Sequence, residues 1–129
     1  TLINDAYNAN PHSMKAALRS LSIIGRGRRC WAVLGEMAEL GPSAADEHRR
    51  VGELTAELGV DRVVVVGPGA QPMHAAAREG AVHVDDADAA IALLRAELRP
   101  EDVVLVKASR AAGLERVALA LAEPVGAAS

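Results

Sequence analysis

Four consecutive valines, Val63 to Val66, stand between Arg62 and Gly67, and a second unbroken apolar run, Val103-Val104-Leu105-Val106, ends at Lys107. A strand with one wet face alternates apolar and polar residues. A strand with no polar position has both faces covered, which is the habit of parallel sheets lying between helix layers. The rest of the chain has to supply those layers.

It does so by its spacing. Leu2-Ile3 reads as a short leading strand, and Met14, Ala17, Leu18 and Leu21 form a helical stripe over Pro11 to Ser22. Cys30 to Leu34 is a second strand. Ser43-Ala44-Ala45-Asp46 looks like a helix start of the Ser-x-x-Asp kind, opening a helix with Val51, Leu54 and Leu58 on one face. A modest helix over Met73 to Glu79 and a short strand over Ala81 to Val84 follow. Asp85, Asp86 and Asp88 favour the next helix N-terminus, whose inner face is Ile91, Leu94 and Leu98; Leu114, Val117 and Leu121 mark the last helix. Five strands alternating with five helices predict a Rossmann-like three-layer α/β sandwich with a mostly parallel sheet of about five or six strands. One domain is expected over residues 1–123, with a frayed small-residue tail at 124–129. Gly25-Arg26-Gly27-Arg28-Arg29 reads as a solvated turn.

Composition removes several functions. The net charge is −3 and the basic residues are scattered, so neither nucleic acid nor an anionic membrane is an expected partner. No apolar run is long enough to span a bilayer and no signal peptide is evident. The single cysteine, Cys30, allows no internal disulfide and suits a reducing cytoplasm, with the thiol in the core. With no Phe, one Trp and one Tyr, that core must be aliphatic. A chain that starts at Thr1 rather than Met is expected to be part of something longer.

In open α/β sheets ligands bind beyond the carboxyl ends of the strands, and the polar residues gather there. Asn4-Asp5-Ala6-Tyr7-Asn8-Ala9-Asn10-Pro11 joins the first strand to the first helix. Asn10 is a good N-cap and Pro11 suits the first helical position. Asp5 would repel phosphate and so suits sugar hydroxyls, while Asn8 and Asn10 each offer a donor and an acceptor. The same residue types also make ordinary turns. Glu36 and Glu39 lie in the loop after the second strand. His48 lies near the same rim, where it serves either as a packed, hydrogen-bonded residue or as part of the site. Lys107, one of only two lysines, surfaces with Ser109 and Arg110 where a buried strand ends, although a lysine there can simply snorkel. Gly67-Pro68-Gly69 is weak evidence for phosphate, because Pro68 removes a donor. There is no P-loop, no nucleophile elbow, and no metal-ligand spacing among His12, His48, His74 and His83. The rim is a polar binding surface without a complete catalytic set.

Three segments together resemble one family. Asp5-Ala6-Tyr7-Asn8-Ala9-Asn10-Pro11-His12-Ser13-Met14, Leu34-Gly35-Glu36-Met37-Ala38-Glu39-Leu40-Gly41 with His48 beyond it, and Leu105-Val106-Lys107-Ala108-Ser109-Arg110-Ala111-Ala112-Gly113-Leu114-Glu115 are similar to Mur ligase C-terminal domains, in the same order. Ala108 departs from the more usual Gly. The resemblance implies a cytoplasmic, ATP-dependent ligase of peptidoglycan precursor synthesis, with separate UDP-sugar and central ATPase domains that this chain lacks. Within the family, Tyr-Asn-Ala-Asn-Pro points to the branch that joins D-Ala-D-Ala to UDP-N-acetylmuramoyl-tripeptide. ATP would phosphorylate the tripeptide carboxylate, and the dipeptide amine would attack the acyl phosphate. The P-loop, the Mg2+ ligands and a carbamylated lysine would lie on the central domain, leaving this one inactive alone and the enzyme monomeric. By the same resemblance Asp5 holds the ATP ribose, with Asn8 and Asn10 near the nucleotide. Lys107, Ser109 and Arg110 serve the dipeptide and phosphate side, with Glu36 and His48 on the same rim. The competing readings are a receiver-like signalling module, whose last strand also ends in lysine, and a structural domain with no ligand at the Asp5 rim.

Overall fold

The computed structural model describes residues 2–5, 10–77, 79–108 and 113–122, with the backbone alone for Asn4, Asp5 and Ala122. Asn8, Ser109, Arg110 and the 124–129 tail lie outside the described residues.

The two apolar runs are strands, as their composition requires. Five strands, β1 (Leu2–Asp5), β2 (Cys30–Gly35), β3 (Arg62–Val66), β4 (Val82–Val84) and β5 (Val103–Lys107), form one sheet in the order β1-β5-β2-β3-β4, and every pairing is parallel. Among the described residues five α-helices connect and follow them: α1 (Pro11–Ile24), α2 (Ala44–Glu57), α3 (Gln71–Ala76), α4 (Ala87–Glu97) and α5 (Glu115–Ala122). Side chains alternate between faces along each strand. Ala32, Leu34, Val63, Val65, Val103 and Leu105 pack against α1, α2 and α3, burying Met14, Leu18, Leu21, Val51 and Met73. Trp31, Val33, Val64, Val66, Val104 and Val106 pack on the other side against α4 and α5, with Leu94, Leu114 and Val117. The three-layer α/β expectation holds. The receiver-like order does not: there the first strand lies inside the sheet, whereas here β1 is an edge strand beside β5. Among the described residues no helix is long and apolar enough to cross a membrane.

Local signals succeed where they are self-contained. Asn10 caps α1, its Oδ1 accepting from Ser13 N–H at 2.8 Å while Ser13 Oγ accepts from Asn10 N–H at 3.0 Å. Asp86 caps α4 by accepting from Ala89 N–H at 2.9 Å. Helix α1 runs two residues past Ser22, leaving Ile23 and Ile24 exposed before Gly25. Ser43 does not open a capping box. A 3-10 turn over Gly41–Ser43 precedes α2, and the Ser43 hydroxyl donates backward to Leu40 O at 2.9 Å. A second 3-10 turn, Pro68–Ala70, leads α3, which is shorter and earlier than expected.

The Gly25–Arg29 connector is not simply solvated. Asp102, just before β5, is buried and accepts from Arg29 Nε and Nη2 at 3.1 and 2.7 Å, from Trp31 Nε1 at 2.8 Å and from Arg99 N–H at 3.0 Å. Arg29 and Arg62 cover the Trp31 ring at 5.1 and 4.7 Å, and Arg62 binds Glu97 at 2.6 Å. Burial alone would raise the Asp102 carboxyl, but the bonds from Arg29, Arg99 and Trp31 outweigh it and hold the group down to about 2. A carboxyl depressed in the folded state stabilises the fold above its unfolded value near ~4, and that contribution is lost as pH falls from there toward 2. It amounts to about 2 kcal/mol. Urea unfolding followed by circular dichroism should show this loss below pH 4, and Asp102→Asn should be less stable at pH 7 with a flatter acid limb.

Gly52 lets α2 and α3 touch. A Cβ there would fall well inside contact distance of the Met73 carbonyl oxygen and 3.1 Å from Ala76 Cβ. Ala in place of a mid-helix Gly ordinarily gains about 1 kcal/mol. The backbone clash should outweigh that gain, so Gly52→Ala is expected to lower stability by about 1–2 kcal/mol, read as a fall in thermal midpoint.

Candidate functional site

The sheet order creates a crevice at one place above all. The strands β1, β2 and β3 each lead to a helix on the first face, whereas β5 leads to α5 on the second. Because β5 lies between β1 and β2, the connections on either side of its end diverge, which is the topological condition for a ligand crevice. The register puts Lys107 at that point, opposite Asp5 of β1 and Leu34 of β2.

Lys107 is 2 % exposed, so its charge does not reach bulk water as a snorkelling lysine would. The adjoining Ala108 is fully buried, and its methyl lies over Gly35. A Cβ at Gly35 would stand 2.7 Å from Ala108 Cβ and 2.9 Å from Leu114 Cδ1, so the ends of β2 and β5 meet through a missing side chain. Asp5 is placed by its backbone, in register beside Lys107. Asn10 is exposed at the head of α1 with its side-chain oxygen engaged in the cap, which leaves chiefly its NH2 for a ligand.

Glu36 is exposed and leans toward β3, away from the β5 side of the rim. Its carboxylate lies over Gly69, so close that a Cβ at Gly69 would stand 2.6 Å from Oε1. A carboxylate already fills the space where Gly67-Pro68-Gly69 would meet a phosphate. Gly67, at φ 93, donates to Val84 O at 2.9 Å and accepts from His83 Nε2 at 2.7 Å, which ties that turn to the edge strand. The His74 and His83 rings stack with centroids 5.5 Å apart.

His48 is 1 % exposed. Met37 N–H donates to its Nε2 at 2.9 Å, so Nε2 must be the unprotonated nitrogen, and Nδ1–H donates to Ala44 O at 2.7 Å. Both ring nitrogens are therefore occupied by backbone. In the sequence, Glu115 is simply the last residue of the third motif. It opens α5, and its Oε2 is buried with no hydrogen-bond partner among the described residues; its place in a helix's first turn makes negative charge favourable there. A groove of about 470 Å³ opens elsewhere, between α2 and α3, with Arg49 held between Asp46 and Glu53. None of the expected site residues lines it. Among the described residues no group of three or more His, Cys, Asp or Glu side chains could hold a metal ion.

The family described as Mur ligase, glutamate ligase domain, matches residues 1–110. UDP-N-acetylmuramoyl-tripeptide–D-alanyl-D-alanine ligase of Mycobacterium tuberculosis is 54 % identical over an alignment covering 94 % of this chain and 28 % of that protein. The Escherichia coli ligase of the same name is 39 % identical, covering 95 % and 27 %. The crystal structure of MurF ligase from Thermotoga maritima in complex with ADP superposes with a TM-score of 0.79 at 30 % identity, over 92 % of this chain and 27 % of that one. MurF from Acinetobacter baumannii gives 0.76, also at 30 %, over 90 % and 26 %. The chain thus spans little more than a quarter of the length of these relatives. By the match over residues 1–110, with the parallel sheet and rim that accompany it, the chain belongs to the Mur ligase family, in its glutamate ligase domain.

Proposed function

We propose that this chain is the C-terminal domain of an ATP-dependent ligase that joins D-Ala-D-Ala to UDP-N-acetylmuramoyl-tripeptide, and that its rim receives the dipeptide and contacts ATP. The names of the relatives support the reaction. The observation that carries the site is the register of Asp5 beside Lys107, at a strand end where the connections diverge on both sides. A cytoplasmic, monomeric enzyme is part of the same reading. In this reading the Mg2+ ligands belong to the central ATPase domain.

Within this reading each residue has a limited task. Asp5 accepts from the ribose hydroxyls, and Asn8 and Asn10 face the nucleotide beside it. Lys107, with Ser109 and Arg110, binds the carboxylate of the incoming dipeptide on the β5 side, or the phosphoryl group that it displaces. A compact charge on a rigid, largely buried strand end costs little reorganisation when its ligand arrives, and electrostatic attraction is stronger there than in water. Glu36 borders the same rim from the β2 side.

Steady-state kinetics of the full-length enzyme separate these tasks. Asp5→Ala should raise the KM for ATP about 10- to 100-fold, the equivalent of one lost charge-assisted hydrogen bond. A folded Asp5→Ala enzyme with the parental KM for ATP would remove the ribose assignment. Lys107→Met should chiefly raise the KM for D-Ala-D-Ala, by a similar factor, if it binds the carboxylate; a fall in kcat at unchanged KM would assign it instead to developing charge on the phosphoryl group. Unchanged values of both constants would leave Lys107 outside the site.

A further inference from the structure

We infer that His48 is a positioning residue, which holds the Glu36 loop against the rim through the single acceptor that it offers to Met37. Glu36 stands between two fixed points. On one side Gly35 is paired with Val66 in the sheet and packed under Ala108 and Leu114. On the other, the Met37 side chain is 2 % exposed in the core below α1, α2 and α3, and its N–H ends on His48 Nε2 at 2.9 Å. The ring itself is fixed from behind by Nδ1–H donating to Ala44 O at 2.7 Å, one helical turn earlier in α2.

The loop needs such a restraint. Glu39 takes φ 61, a left-handed conformation that a side chain other than Gly or Asn adopts at a cost, and Gly41 follows at φ 58. A loop holding a strained residue stays in one shape only where its surroundings over-determine it. The contact to His48 supplies that control at the point closest to Glu36. The two ring contacts are also unequal. Ala44 O belongs to the first turn of α2 and keeps a helical partner if Nδ1–H is lost, whereas His48 Nε2 is the acceptor that Met37 N–H has among the described residues. The positioning function thus resides in Nε2.

This inference rests on the reading of Glu36 as part of the dipeptide rim, and the test separates the two. In the full-length ligase, His48→Gln carries an acceptor close to the position of Nε2, whereas His48→Asn keeps a donor near Nδ1 and offers Met37 nothing. Hydrogen exchange read by mass spectrometry should show His48→Asn losing protection about tenfold or more over Glu36 to Leu40 while α4 is unchanged, with His48→Gln close to the parent. The KM for D-Ala-D-Ala should rise roughly tenfold in His48→Asn, the scale of one lost buried hydrogen bond, and recover in His48→Gln. Combined with Glu36→Gln, the His48→Asn effect should be less than additive. Unchanged loop protection in His48→Asn overturns the inference. So does a loosened loop with the parental KM, provided Glu36→Gln itself raises it. If Glu36→Gln leaves that KM untouched, the dipeptide assignment of Glu36 fails, and the exchange result alone judges the restraint.

Discussion

The rim depends on β5 lying between β1 and β2. A strand in that place is hydrogen-bonded along both edges and covered on both faces, so Val103 to Val106 can tolerate no polar side chain. Polarity is allowed only where the strand ends, and there the chain places Lys107. The same insertion makes the connections beside that end diverge toward opposite helix layers. A single topological choice therefore supplies the crevice, the rigidity of its floor and the position of its charge. Burying an ammonium group is costly in general, and a site that meets this cost during folding has less left to rearrange when an anionic ligand arrives.

The two ends of the sheet are held together by different physics. At the amino ends, polar groups satisfy one another: Asp102 gathers Arg29, Trp31 and the Arg99 backbone, and Arg62 with Glu97 closes the cluster over the indole. Those bonds are directional and sensitive to pH. At the carboxyl ends, closeness comes from missing side chains. Gly35 admits the Ala108 methyl, and Gly69 admits the Glu36 carboxylate. Substituting Gly35 would push the ends of β2 and β5 apart without touching a charged group, whereas a side chain at Gly69 would strike the Glu36 carboxylate, so shape and charge are separable at the first place and coupled at the second.

What the sequence disclosed follows the range of the interactions involved. Unbroken apolar runs announce a two-sided sheet because burial on both faces leaves no other composition. Asn10 was legible as a cap because it completes its bond within three residues, and the acidic cluster around Asp86 marked the start of α4 without singling out the residue that caps it. Arg29 was misjudged as solvated because its partner, Asp102, is 73 residues away, and nothing near the Gly-Arg repeat signals it. Ser43 stands at the N-cap position of α2 as its sequence context indicates, but it makes no cap bond because the Gly41–Ser43 turn aims its hydroxyl backward, a matter of backbone path rather than residue type. At the rim, the strand ends were legible from the runs that precede them. The pairing of Asp5 with Lys107 was not, since it depends on the last strand inserting beside the first. For His48, residue type allowed both packing and ligand contact, and only the two backbone bonds define what the ring is doing.

The Trp31 cluster has an optical consequence. It holds the chain's only indole, fully buried beside Asp102 and under two guanidinium groups, about 13 Å of strand from the rim end of β2. The chain has no phenylalanine, and its one tyrosine, Tyr7, falls in sequence between Asp5 and Asn10. Its two near-ultraviolet chromophores are thus separate: the indole at the amino-end cluster and the phenol, in sequence, just after β1. Tryptophan emission from this domain should track the state of the amino-end cluster and be nearly blind to events at the rim. Tyrosine emission, from a residue between Asp5 and Asn10 in sequence, is the intrinsic signal to follow for events on that side.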